Sequence, residues 1–282
     1  MKNIIFLILL GLSFLLNIEI LKAQIINETP VDGLYENDGI IERDPTPLPS
    51  IRRADIMWQK RVWRVIDFRK KMNQPFYFPV DDHGNWRSFI KIVMDGIEDG
   101  DIDAYKITPS DGFTIPVTYN EIKEASTDTA RMTLPRLYDP NILYDTIIVS
   151  GFKYDDVYQL RIKEDWYFDK QRSQLIKYII GLCPVMVKEY EGVPRTIPLF
   201  WIHYPQARKV LAQTLIYNRF NDAERRTYDE VLIKRMFSSH IYKVSNVFDR
   251  TIGEYAKGID ALFEAERIKT ELFNFEHELW EF

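Results

Sequence analysis

Cysteine is almost absent from this chain of 282 residues, since Cys183 is the only one. No disulfide can therefore form within the chain, and its stability must come from packing or from assembly. The flanking residues Ile179–Leu182 and Val185 are mostly aliphatic and supply no charge that would activate a thiol. We expect Cys183 to be a buried structural side chain, because free cysteine is among the most buried residue types.

The sequence also lacks an apolar run long enough to span a membrane. Its longest run, Ile4 to Leu16, falls short of the roughly 20 apolar residues that a spanning helix needs. Lys2 precedes the run and the small residue Ala23 follows it, which is typical of an export signal. We therefore predict a signal peptide over residues 1–23, cleaved between Ala23 and Gln24; an uncleaved N-terminal anchor is the alternative. Because no cysteine lies near the cleavage point, we expect the mature chain to reach a membrane only through a partner.

An excess of positive charge is missing as well. Acidic residues outnumber basic ones, and the formal net charge is −5. Binding to a nucleic-acid backbone needs a basic surface, and acids are interleaved with most of the basic residues here. We therefore expect no nucleic-acid partner.

Short motifs that mark catalytic sites are absent too. The chain has neither the Gly-x-Ser-x-Gly turn of serine hydrolases nor a glycine-rich phosphate-binding loop that ends in Lys-Ser or Lys-Thr. His277-Glu278 begins like a zinc-protease motif, but Glu281 stands where the second histidine belongs. We therefore predict no catalytic residues and no cofactor-binding residues.

One acidic loop has part of a calcium-binding pattern. Asp99, Asp101 and Asp103 have the spacing of the first three ligands of a calcium loop. Ala104 stands where that loop requires glycine, and Ser110 stands where it requires glutamate. We predict a solvated acidic loop and no metal site, with an unconventional calcium site as the alternative.

What the sequence does contain begins with a proline-rich arm, residues 24–50. The alternating prolines Pro45, Pro47 and Pro49 exclude a helix and favour an extended chain. An arm of this kind is either mobile or lies along another surface. It is followed by residues 51–282, which we predict to be a globular domain; whether residues 51–145 form a separate lobe stays open.

The hydrophobic pattern of this domain predicts helices first. The spacing favours an amphipathic, basic helix from Ile51 to Met72, ended by Pro75, and a second helix over residues 87–98. Residues 101–150 are expected to be irregular, with a short helix near residues 120–125.

A clear β pattern follows. Residues 160–168 alternate as a strand, residues 169–173 form a hairpin loop, and residues 174–187 form the returning strand, with Pro184 at its end or at a bulge. A third strand over residues 196–204 completes a predicted antiparallel meander.

Helical signals return after the meander. We predict a helix that begins at Pro205, one capped by Asn221 or Asp222, an extended stretch over residues 239–247, and a long helix from Ile252 to Leu279. The apolar stripe of the last helix is expected to pack on its own domain; a seam with another subunit is the alternative. The predicted fold class is thus α+β, a short antiparallel sheet at roughly residues 157–204 flanked by N-terminal and C-terminal helices.

Candidate partner-binding residues lie in the arm and in the basic segment after it. Tryptophan and arginine are typical anchors of protein interfaces. The candidates are Pro45, Pro47, Pro49, Arg52, Arg53, Trp58, Trp63 and Arg64. In the alternative interpretation, the two tryptophans belong to the core and the arginines are solvated.

Several stretches resemble those of one known family. They are Arg53–Asp67, Lys71–Pro75, Asp169–Ser173, Tyr204–Leu211, Phe237–Ile241, Ser245–Arg250 and Ala261–Glu266. Together they resemble the GldN (also called PorN) family of Bacteroidetes, from the proline arm almost to the C-terminus.

The resemblance implies a structural role outside the cytosol. It implies a periplasmic component of the type IX secretion system that also supports gliding motility. The implied partners are a GldK/PorK-like outer-membrane lipoprotein, a GldM/PorM-like shaft protein and further copies of the chain in a ring. The implied location is the inner face of the outer membrane, reached through the lipoprotein.

Two other functions stay open from the residues alone. One is an exported hydrolase that uses scattered carboxylates, which would need a pocket with convergent titratable groups. The other is a carbohydrate- or peptide-binding module, which would need an exposed aromatic platform.

Overall fold

The computed structural model describes residues 43–81, 86–109, 111–136, 139–190, 193–221 and 223–278, with only the backbone given for 128–136, 139–150, 189–190 and 193. The described residues belong to one compact unit that spans Gly39–Phe282. The predicted signal peptide, its cleavage point at Ala23 and Gln24, and residues 24–42 of the arm lie outside the described residues.

The described chain is a mixture of helices and strands. Its helices are α1 (Gln74–Tyr77), α2 (Phe89–Glu98), α3 (Tyr119–Ala125), α4 (Tyr204–Gln213), α5 (Tyr228–Ile233), α6 (Ile252–Tyr255) and α7 (Ile259–Glu278). Its strands are β1 (Ile56–Asp67), β2 (Ala104–Tyr105), β3 (Pro116–Val117), β4 (Asp128–Arg136), β5 (Asp139–Ser150), β6 (Val157–Asp169), β7 (Gln174–Tyr190), β8 (Val193–Pro198), β9 (Trp201–His203), β10 (Leu215–Ile216), β11 (Arg226–Thr227) and β12 (Ser239–Val244).

Most strands belong to one antiparallel sheet with the order β12-β1-β6-β7-β9-β2-β3, and β8 also pairs with β7. The α+β prediction is therefore confirmed. The predicted sheet was too small, however, because β1, β12, β2 and β3 extend it on both sides. Two further pairs, β4–β5 and β10–β11, stand outside this sheet.

The two faces of the sheet differ in chemistry. Along β6, Leu160, Ile162 and Trp166 are buried on one side, which we call the helix-covered face. Helices α2, α4 and α5 pack against the first two of these residues, and α7 packs in the cluster around Trp166. The opposite side carries Arg161 and Lys163 and packs against aromatic side chains, so we call it the aromatic–cation face. The alternation that predicted this strand is confirmed.

The helix predicted from Ile51 to Met72 is wrong, because the segment forms strand β1. This strand lies inside the sheet between β12 and β6, and side chains on both of its faces are buried. Val62 and Ile66 are buried on the helix-covered face, and Trp63 is buried on the other. Apolar residues on both sides of a strand break the simple alternation and imitate helical spacing, while their β-branched and aromatic character favours a strand.

Several other predicted elements are confirmed, although some begin or end at slightly different residues. The helix over residues 87–98 is confirmed as α2, the short helix near 120–125 as α3, and the hairpin loop at 169–173 joins β6 to β7. The irregular region predicted for residues 101–150 is wrong where β4 and β5 form a hairpin. Its prolines are tolerated because both strands of a two-stranded sheet are edges.

The predicted third strand is interrupted. Residues 196–204 divide between β8 and β9, which pair with different parts of β7. Pro184 lies inside β7 and not at its end, at the point where the pairing changes from β9 to β8. The missing N–H of proline therefore removes no ladder hydrogen bond there.

The C-terminal helices also begin at other residues than predicted. Helix α5 is capped by Thr227, whose side chain and that of Glu230 form a capping box, and not by Asn221. The long helix predicted from Ile252 is divided into α6 and α7. Gly258 lies between them with a φ of +61°, a left-handed conformation that glycine adopts without strain.

Gly181 of β7 makes a close approach that gives a first prediction. A Cβ atom at this position would lie 2.7 Å from Cζ of Phe113 and 3.3 Å from the backbone oxygen of Ile202. Gly181→Ala should therefore lower the free energy of unfolding by about 1–3 kcal/mol through overpacking. Gly151→Ala is the control, because no heavy atom lies within 4 Å of its added Cβ. Equal stabilities in urea titration would contradict this packing.

Candidate interaction surfaces

The predicted partner-binding residues do not form one patch, because β1 places them on opposite faces of the sheet. Arg52 and Arg53 are exposed just before the strand. Trp63 is buried on the aromatic–cation face, whereas Arg64 lies on the helix-covered face. Trp58 is partly buried, and its ring centroid lies 4.7 Å from that of Phe275 in α7. The tryptophans thus serve the fold, as in the alternative interpretation.

The aromatic–cation face is a packed layer. The Lys243 ammonium lies 4.7 Å from the Trp63 ring centroid, and its Nζ is 2.8 Å from Oδ1 of Asp249. Lys163 Nζ donates a hydrogen bond of 2.7 Å to the backbone oxygen of Asp111, and burial lowers the pKa of this lysine. The ring quadrupole attracts a cation placed over an aromatic face, and this attraction is stronger where both groups are shielded from water. The described aromatic side chains of this face are therefore packed into the structure and form no exposed platform.

Cys183 lies in the same layer and is fully buried, as predicted. Burial raises the pKa of its thiol to about 12. At neutral pH the side chain is a protonated thiol that packs like a small apolar residue.

Arg64 belongs to a buried ionic network under α7. Glu164 is fully buried and accepts hydrogen bonds from Nη2 of Arg235 at 2.8 Å and from Nε1 of Trp166 at 2.8 Å. Arg64 Nε donates to Oγ of Ser239 at 2.8 Å, and burial lowers the pKa of this arginine. These bonds join β1 to β12 and β6 to the residue Arg235 after α5, so Arg64 is half-buried and hydrogen-bonded and not solvated as the alternative interpretation had it.

The described end of the proline arm is fixed to the domain by a second network. Arg43 Nη1 lies 2.8 Å from Oε1 of Glu230. Arg208 Nη2 donates to the backbone oxygen of Thr46, and its Nε and Nη2 each lie 2.9 Å from a carboxylate oxygen of Asp229. Of the candidate prolines, Pro45 and Pro49 are half-buried and Pro47 is exposed. The arm therefore lies along its own domain from Arg43 onwards.

The centre of this second network is almost inaccessible to solvent. Arg208 and Asp229 are both nearly inaccessible, and Tyr204 Oη donates to Oδ1 of Asp229 at 2.6 Å. Burial opposes the charge of Arg208, but the hydrogen bonds and the charge of Asp229 outweigh it and raise the pKa of the guanidinium. Sequence reasoning missed this pair, because the charges of an amphipathic helix are usually solvated.

The network predicts how far the arm can be shortened. Deleting residues 24–42 leaves the contacts of Arg43 and Thr46 in place, whereas deleting residues 24–50 removes them. The longer deletion should cost about 1–3 kcal/mol more, because Arg208 loses the carbonyl acceptor for a buried N–H. Thermal unfolding of the two proteins, each exported with its own signal peptide, measures the difference, and equal midpoints would contradict the role given to Thr46.

Large apolar side chains are exposed at the start of α7 and in the turn after β12. We call Val247, Phe248, Ile259, Leu262 and Phe263 the helix-7 surface. Phe248 and Phe263 are 72% and 69% exposed, although aromatic side chains usually bury most of their area.

The helix-7 surface borders a cleft of about 390 Å³. Phe248, Arg250 and Tyr255 line one side, and Glu264 and Arg267 line the other. The guanidinium of Arg250 lies 4.3 Å from the Phe248 ring centroid and 5.8 Å from that of Tyr255. Several exposed apolar residues beside paired charges are typical of a protein–protein interface.

The apolar stripe of α7 is divided between two roles. Ala265 and Leu272 are buried against the sheet, so the middle of the stripe packs on its own domain as predicted. Ile259 and Leu262 of the same stripe are exposed. A helix that is apolar on its domain side and on part of its outer side has surface left for a partner.

The described residues contain neither a metal-binding cluster nor a membrane-spanning helix. Within the described ranges, no group of three or more His, Cys, Asp or Glu side chains is arranged to hold a metal ion. Among the helices that the structure describes, none combines the length and apolar character of a membrane span.

One model of a known protein family matches the chain. The model of the family described as "Gliding motility associated protein GldN" matches residues 51–281, which is most of the chain. No protein with a curated description matches it.

Proposed function

The chain belongs to the GldN family of gliding-motility-associated proteins, and we propose on this basis that it is a non-catalytic structural subunit of the periplasmic ring of the type IX secretion system. The family is associated with gliding motility and is not a known family of enzymes. In this role the subunit lies at the inner face of the outer membrane, held there by a GldK/PorK-like lipoprotein. It meets a GldM/PorM-like shaft protein on the side of the motor.

The helix-7 surface supports this proposal most directly. A ring needs contacts in which one patch of each copy meets a different patch of the next. Exposed Leu262 and Phe263 supply the large apolar area that the centre of such a contact requires.

Crosslinking in cells tests the proposal. A photoreactive phenylalanine analogue at position 248 replaces a side chain that is already exposed, so the fold should be unaffected. We expect adducts with a second copy or with the lipoprotein, identified by mass spectrometry. The matched control carries the analogue at buried Phe237, which should give no adduct. If position 248 formed adducts in gliding cells only with proteins outside the secretion system, the proposal would be contradicted.

A further inference from the structure

A pocket of about 270 Å³ lies at the β10–β11 hairpin, away from the residues of the helix-7 surface. Its walls are apolar and include Ile216, Val231 and Met236. Met72, Tyr217 and Phe220 stand around it with 52%, 46% and 79% of their surfaces exposed. The volume suits one or two apolar side chains and is below the usual range for whole small-molecule ligands.

The edge of this pocket is positively charged. Arg219 donates from Nη1 to the backbone oxygen of Lys71 at 3.0 Å, and its guanidinium lies 4.6 Å from the Phe220 ring centroid. Within the part of the chain that the structure describes, neither Arg219 nor Lys71 has a carboxylate partner. Arg226, by contrast, is paired with Glu224 at 2.6 Å. The pocket thus combines apolar walls with the guanidinium of Arg219, which has no carboxylate partner among the described residues.

The chain itself contains a segment of the matching chemistry. Residues 34–42, Leu-Tyr-Glu-Asn-Asp-Gly-Ile-Ile-Glu, carry apolar side chains interspersed with three carboxylates and no cation. The described arm begins directly after them, at Arg43, whose partner Glu230 is adjacent in sequence to Val231 of the pocket wall. Every copy therefore holds Arg43, the residue that follows this segment, close to one wall of the pocket.

We propose that the pocket binds residues 34–42 of a second copy of the chain, so that the acidic segment of one subunit occupies the hairpin pocket of the next. An arm entering a neighbour's pocket is a head-to-tail contact, the kind that closes a ring. Apolar side chains of the segment fill the pocket, and one of its carboxylates faces Arg219. This inference rests on the proposed function, since it names one of the contacts between ring subunits.

Cysteine crosslinking in the full chain tests this inference. Two single variants, Ile40→Cys and Met72→Cys, are mixed in the complex with the lipoprotein and treated with a short bis-maleimide; buried Cys183 is inert. We expect a covalent dimer from the mixture. Ile40→Cys mixed with Ile115→Cys is the control, because Ile115 is 49% exposed, about as much as Met72, lies outside both the pocket and the helix-7 surface, and should give no dimer.

A charge reversal tests the proposed attraction between the acidic segment and Arg219. Arg219→Glu in the Met72→Cys copy should lower the dimer yield about tenfold, the effect of one lost interface ion pair. Lys106→Glu, a charge reversal at an exposed lysine after β2 that lies outside the pocket and outside the helix-7 surface, should leave the yield unchanged.

The outcomes separate this inference from the proposed function. Complexes of ring size without the crosslink would overturn the inference and leave the ring proposal in place. If the mixture gives no dimer but a double variant that carries both Ile40→Cys and Met72→Cys is linked within its own chain, each copy fills its own pocket, which also overturns the inference. Absence of any large complex would contradict the proposed function, and the inference with it.

Discussion

Asp229→Ala should lower the free energy of unfolding by about 3–5 kcal/mol, because it leaves the Arg208 guanidinium buried without its counter-charge. Asp229 is 1% exposed and accepts hydrogen bonds from both Arg208 and Tyr204. For a domain of this size the melting temperature should fall by roughly 10 °C. Thermal and urea unfolding measure the effect.

Glu264→Ala is the matched control for this prediction. Glu264 also pairs with an arginine, Arg267, at 2.7 Å, but that guanidinium is 61% exposed. Exposed ion pairs contribute about 1 kcal/mol or less. If both variants lost the same free energy of unfolding, the buried network that fixes the arm would stabilise the fold no more than an exposed ion pair does.

Reversing the polarity of the helix-7 surface should abolish assembly and leave the fold intact. Leu262→Glu with Phe263→Glu places two carboxylates where apolar side chains would meet a partner. Losing anchors at the centre of an interface costs at least about 2 kcal/mol each, so the association constant should fall more than 100-fold. Both positions are exposed in the single subunit, so its unfolding free energy should change by no more than about 0.5 kcal/mol.

Asn274→Glu is the control for this double variant. It adds a carboxylate to an exposed position in the second half of α7, outside the helix-7 surface. Assembly of this control should match that of the wild type. A double variant that assembled normally would show that the helix-7 surface is not an assembly interface.

The sheet could be predicted from the sequence where one side of a strand differs from the other. Strand β6 alternates between Leu160 or Ile162 and charged residues, and that pattern predicted the hairpin to β7 and a strand over residues 160–168, which the structure extends to Val157–Asp169. Strand β1 could not be predicted in this way, because Val62 and Trp63 are buried on opposite faces. The covering of both faces is a property of the whole fold, not of the segment.

The environment of the candidate interface residues could be predicted only in part. Contacts of the arm and of the C-terminal helix with partners stay predictions, whereas Trp63, proposed as an interface residue, is buried and Arg64 is half-buried. Arg208 and Asp229 are 21 residues apart on two helices, and their pairing depends on how those helices pack. The exposure of Phe248 and Phe263 depends likewise on which side of α7 faces the sheet.

The most direct test of the account is the mass of the complex that the exported chain forms with its lipoprotein partner. Both proteins are coexpressed with their signal sequences, extracted in mild detergent and measured by mass photometry. We predict a population of complexes that contain many copies of each chain, and this population should disappear in the Leu262→Glu, Phe263→Glu variant. A strict one-to-one pair, with no larger species in detergent or in lipid vesicles, would contradict it.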